Sequence, residues 1–184
     1  FFRYQGYGRR REHKQRRSTK YKRRRRNRIN TKGITRRKYS IVLNRIKKAA
    51  EKSERNLKDI TIIGVTKTQP TKAIISASQL GINTIGESRV VEAAKKFSKI
   101  TDINNFTTHL IGHLQSNKAR KAIEIFDVIQ TVDTLKLAKK INKIAKQFNV
   151  KKKIMIQVNT GNDPLKHGFS TIEATENCQK LLEL

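Results

Sequence analysis

A lysine stands between two threonines at the end of a β-branched run, in Thr66-Lys67-Thr68, and its amine is the first candidate nucleophile. The run from Ile60 to Thr66 suits a buried strand. Two-residue alternation from Ile63 through Val65 then aims Lys67 toward the inside of the fold. Desolvation there favours the neutral amine, the form that condenses with an aldehyde to give an imine. The plain alternative is an ordinary exposed lysine, and position alone does not single out Lys67 among the 26 lysines of the chain.

Other polar groups follow apolar runs in the same way. Glu87-Ser88-Arg89 closes one run, His113 and Gln115-Ser116-Asn117-Lys118 another, Thr131 and Asp133 a third, and Gln157 and Asn159 a fourth. Parallel α/β folds place their working groups at the C-terminal ends of strands, so these turns are expected to share one rim. His109 and His113 have the four-residue spacing of a helical zinc pair. The Glu expected after the first His is Leu110, however, and the segment reads as a strand, so no metal site is expected. Gly6 and Gly8 have no strand before them and no third glycine, which leaves no nucleotide fingerprint. Cys178 is the only cysteine, so an internal disulfide framework and multi-thiolate zinc sites are excluded, no base partner accompanies it, and a reducing cytoplasm is the default.

The elements that position these groups alternate. Tyr39, Val42, Leu43, Ile46, Ala49 and Ala50 recur at helical spacing. After the first strand, Pro70 suits a helix start and Gly81 a helix end, predicting a helix over 71–80. Strands follow at 83–86, 108–112, 127–131 and 154–159, and helices at 89–97 and 117–125. A further helix, capped by Asp133, carries the stripe Leu137, Ala138, Ile141, Ile144, Ala145 and Phe148, and a last one starts near Thr171. Such alternation implies right-handed β/α units and a parallel sheet, either doubly wound or barrel-type. A complete (β/α)₈ barrel takes roughly 200–250 residues. The expected fold is therefore a partial (β/α)₈ TIM-type barrel of about five units.

Residues 1–38 differ from the rest. They carry 18 of the 43 Lys and Arg and one acid, Glu12, giving +17 of the net +29, and 13 of those 18 are Arg. With no apolar periodicity, the arm is expected to be disordered, with a boundary near Lys38 and the folded domain over 39–184. Such an arm, with Phe1, Phe2, Tyr4, Tyr7 and Tyr21 to stack on bases, makes nucleic acid an alternative partner; a solvated tail without function is the plainer reading. No run is long and apolar enough for a membrane helix. The leading Phe1 suggests a reading frame that extends upstream.

Three segments carry a more specific signal: Gly64-Val65-Thr66-Lys67-Thr68-Gln69-Pro70, Ile85-Gly86-Glu87-Ser88-Arg89-Val90-Val91-Glu92, and His109 through Lys118 with its core Ile111-Gly112-His113-Leu114-Gln115-Ser116-Asn117-Lys118. With Thr131-Val132-Asp133 and the Lys166-His167-Gly168 turn, they resemble the pyridoxal phosphate homeostasis family, the YggS and PROSC-like proteins, over about residues 39–184. The resemblance implies a barrel like the N-terminal domain of alanine racemase, with pyridoxal 5′-phosphate as an imine on Lys67 and no catalytic turnover. It implies Glu87, Ser116 and Asn117 as further cofactor-side residues, and PLP-dependent apoenzymes as recipients. Ser88 stands where the family usually has Asn, and the chain stops before the family's phosphate-gripping turns. A racemase-like enzyme is the rival reading, but it needs a second base, usually Tyr, and no tyrosine follows Tyr39.

Overall fold

The computed structural model describes residues 35–184, so the arm's disorder and its stacking aromatics at positions 1–34 lie outside the described residues. Thr35 caps the first described helix, its hydroxyl accepting from the Lys38 N–H, and α1 runs Arg36–Lys52. The helix thus opens inside the stretch that charge assigns to the arm. Arg36, Arg37 and Lys38 form its exposed first turn, and a solvated helical turn is as basic as a tail.

Five short strands follow: β1 Ile63–Val65, β2 Thr84–Glu87, β3 Thr107–Leu110, β4 Val128–Val132 and β5 Lys153–Ile156. The helices between and after them are α2 Thr71–Ser78, α3 Val90–Phe97, α4 Ala119–Ile125, α5 Leu135–Gln147 and α6 Thr171–Leu182. All neighbouring pairs are parallel, and the strand order is the sequence order, β1-β2-β3-β4-β5. That order decides between the two windings. A doubly wound sheet reverses direction from an interior first strand, whereas a barrel adds each strand beside the last. Here β1 and β5 are the two edges, so the described fold is a five-unit arc of a barrel.

The pairing register assigns the faces. Ile63, Thr84 and Thr107 lie abreast, as do Val65, Gly86 and His109, whereas Gly64, Ile85 and Thr108 point the other way. This second, outer face meets the helices. Ile74, Ile85, Leu110, Ile123, Phe126 and Ile129 are at most 2% exposed there. Phe97 of α3 and Phe126 after α4 meet edge to face at 5.7 Å. The expected stripe of α5 is buried from Leu137 to Ala145, and Phe148 lies at the surface under the Arg120 guanidinium, 4.9 Å from its ring centre.

The inner face is open at the two edge strands, where Val65 and Met155 are each 51% exposed, and closed between them, where His109 and Val128 are buried. At the N-terminal end of the sheet, Asp127 Oδ2 accepts from the Thr108 N–H at 2.7 Å and from its hydroxyl at 2.8 Å, fixing where β3 and β4 begin. No described helix is long and apolar enough to cross a membrane.

Candidate cofactor rim

The turn after β1 carries Lys67 and is held from beneath. Thr66 is buried and points to the helix side; its hydroxyl donates to Glu87 Oε1 at 2.7 Å, and its carbonyl accepts from Lys96 Nζ at 2.7 Å. On the other side of Lys67, the Thr68 N–H donates to Glu92 Oε1 at 2.7 Å. Thr68 itself has φ +62°, a left-handed conformation that costs a β-branched residue energy and must be paid by such bonds. Lys96 ties the two acids together, 2.9 Å from Glu87 and 2.7 Å from Glu92. Both neighbours of Lys67 are therefore anchored in one charged network, and Lys67 projects from the turn between them.

Glu92 feels that network. Its hydrogen bond from Lys96 holds the carboxyl below its ordinary value, with the Thr68 N–H and the charges of Lys96 and Arg89 adding to the effect against partial burial. Glu87 is fully buried, and its Oε2 has no hydrogen-bond partner among the described residues. Lys96 thus supplies the countercharge that lets a carboxylate sit between sheet and helix.

Of the four residues expected to face a cofactor, Lys67, Ser116 and Asn117 are exposed at the C-terminal rim, with Ser116 and Asn117 in a one-turn 3₁₀ helix, Ser116–Lys118. Glu87 is not at the rim. It shares the outer face with Ile85 and is committed to Thr66 and Lys96, so it buttresses the lysine turn from behind. The expected desolvation of Lys67 is also corrected: Lys67 is exposed, because it follows β1, an edge strand whose inner-face residue Val65 is itself half exposed.

The two histidines of the four-residue pair separate as strand geometry requires. His109 is buried on the inner face, 2.7 Å from the Gln130 amide, and burial pushes its imidazole below the usual range. His113 lies beyond the strand, exposed, with Nδ1 2.8 Å from Asp133 Oδ2. Asp133 is therefore not the helix cap. Thr134 caps α5, its hydroxyl accepting from the Leu137 N–H, and the carboxylate is left free to face His113. Sequence reasoning missed Lys96, whose only signal was its position four residues after Glu92 on a helix.

A family model for the alanine racemase N-terminal domain matches residues 41–184. The chain belongs to the alanine racemase N-terminal domain family. Within that family, the chain is 33% identical over 135 residues to the pyridoxal phosphate homeostasis protein of Haemophilus influenzae, covering 73% of this chain and 57% of that protein. It is similar to PipY of Synechococcus elongatus PCC7942. The PipY structure without pyridoxal phosphate superposes with a TM-score of 0.67 at 36% identity over 76% of this chain and 65% of that one. The form with pyridoxal phosphate bound gives 0.64 at 33% identity, with 76% and 64% covered. Alanine racemase of Clostridium difficile 630 shares the fold at 22% identity, with a TM-score of 0.61, 77% of this chain and 36% of the racemase being covered. The chain thus spans less than two thirds of the length of these relatives. The resemblance to the homeostasis branch and the barrel-type α/β fold both stand.

Proposed function

We propose that this chain takes part in pyridoxal phosphate homeostasis, holding the cofactor through the Lys67 amine without catalysing turnover. The observation that carries the reading is the clamped Lys67 turn at the C-terminal rim of a family whose PipY member has been solved with pyridoxal phosphate bound. The residues present fit the group. An accessible primary amine suits an aldehyde, and the nearest acids are already paired with Lys96, leaving Lys67 free of a carboxylate partner among them. Exposed Ser116 and Asn117 add uncharged donors at the rim.

When bound, the cofactor supplies an electrophilic aldehyde and a phosphate. This chain's part is to present Lys67 Nζ: the clamp on Thr66 and Thr68 fixes the backbone on both sides of the lysine, which limits the conformational freedom lost on condensation. Racemisation would need a second base. Tyr39 lies on α1 packed against the helix-side core, and the homeostasis proteins match at 33% and 36% identity against 22% for the racemase, which favours a binding protein that delivers cofactor to PLP-dependent apoenzymes in the cytoplasm.

Pyridoxal phosphate added to the full chain, followed by borohydride reduction and peptide mapping, is expected to place the pyridoxyl adduct on Lys67. Lys67→Ala is expected to lose it. An adduct on another lysine, at undiminished yield in Lys67→Ala, overturns the assignment.

A further inference from the structure

Three donors from three different loops converge beside the rim. His113 follows β3, Asp133 follows β4, and His167 lies in the loop after β5; one ligand atom of each falls within 4.8 Å of the others. Asp133 Oδ2 is 2.8 Å from His113 Nδ1 and 4.0 Å from His167 Nδ1. We propose that His113, Asp133 and His167 bind one divalent first-row transition-metal ion.

The scaffold around the donors is built. The Asp133 side chain is only 7% exposed, so the carboxylate is fixed, while the imidazoles are 38% and 60% exposed and close over it from the surface. The Thr131 hydroxyl donates to the Gly112 carbonyl at 2.6 Å, joining the loops that carry Asp133 and His113. The Gln157 amide donates to the His167 carbonyl at 2.6 Å. Gly168, at φ +137°, lets the chain turn directly after His167, and a Cβ there would lie 2.7 Å from the Asn159 nitrogen.

The spacing brackets what an ion needs. A tetrahedral site with bonds of about 2.0–2.1 Å holds its donors roughly 3.4 Å apart, between the two separations observed. The rings are stacked, with centroids 3.7 Å apart and planes 12° from parallel. An imidazole lone pair lies in the ring plane, so both rings must turn about Cβ–Cγ to meet one ion, a soft torsion for side chains at the surface. Two imidazoles with one carboxylate favour zinc, cobalt or nickel over magnesium or calcium, and three protein ligands leave a position open toward the cleft lined by Thr131, Gln157 and Asn159.

The test uses the full chain in a His13→Ala background, which removes the one other histidine outside the described residues. Calorimetry with zinc and the visible absorption of cobalt read stoichiometry and ligand field. One ion per chain is expected, with affinity falling about tenfold or more in His113→Gln and in His167→Gln. Lys67→Ala is expected to bind the ion unchanged, which separates this site from the cofactor lysine. His167→Gln alters an exposed side chain, so loss of binding there is not loss of fold, and circular dichroism verifies it. Absence of ion uptake by the parent, or affinity within about twofold in both histidine variants, overturns the proposal.

Discussion

Burial holds the His109 imidazole below its ordinary value of 6.5, against the opposing pull of the Asp127 carboxylate. The Gln130 amide nitrogen sits 2.7 Å from Nδ1, and as a donor it requires the neutral ring with its proton on Nε2. The folded state therefore disfavours protonation relative to the unfolded chain. Its contribution to stability is present above the unfolded value of 6.5 and lost as pH falls through the lower folded value. An NMR titration is expected to give a His109 midpoint below 6.5, and a midpoint at or above it would falsify this account. Glu92 acts in the same direction at lower pH. Its carboxyl is held below 4.5, chiefly by Lys96, so its contribution is present above 4.5 and disappears as pH falls through the folded value. Lys96 has the larger role, because removing it leaves Glu87 buried without a countercharge. Lys96→Met is expected to cost about 3–5 kcal/mol in urea unfolding at neutral pH. A loss under about 1 kcal/mol shows that Glu87 needs no partner from Lys96.

Between elements, the closest approach is at Gly112. A Cβ there would collide with the Ser88 carbonyl oxygen and lie 2.8 Å from Ser88 Cα, so the loops after β2 and β3 meet through hydrogen alone. The obstacle is backbone, which cannot swing aside, and Gly112→Ala is expected to destabilise the fold by about 1–3 kcal/mol. A melting curve that matches the parent would show that the loops can part. The same glycine explains why the Ile111-Gly112-His113 segment was informative in the sequence: its composition reports a packing constraint. The helices and strands were likewise legible, since the β-branched runs and the Pro70 start act locally. The strand at 60–66 is shorter in the structure, Ile63–Val65, because only those residues lie in ladder register with β2. The expected Asp133 cap gives way to Thr134, although Asp is the better capper, because the Asp133 carboxylate is engaged by His113. Glu87 looked like a rim residue for a similar reason. Its side faces Lys96, a contact made by tertiary packing.

Across the whole molecule, two forces of opposite sign govern association. The five-strand arc leaves the outer edges of β1 and β5 unpaired among the described strands, and Val65 and Met155 stand half-exposed on its inner face. Unpaired strand edges beside apolar surface are templates for pairing with another chain. Against this stands a net charge of +29, which makes two copies repel. The repulsion is long-ranged, reaching about 10 Å at 0.1 M salt and only about 3 Å at 1 M, whereas edge pairing and apolar contact are not weakened by salt in that way. The 184-residue chain is therefore expected to self-associate more strongly as salt rises, read as a growing weight-average mass in sedimentation velocity at fixed protein concentration. Val65→Lys with Met155→Lys is expected to reduce the mass at 1 M salt, because it places charge on the apolar inner face at both edges of the arc. Copies bridged by a polyanion through the basic residues 1–38 behave oppositely, since counterion release makes that contact fail as salt rises. A mass that falls with salt and ignores the lysine pair would assign association to the arm and leave the strand edges without a role.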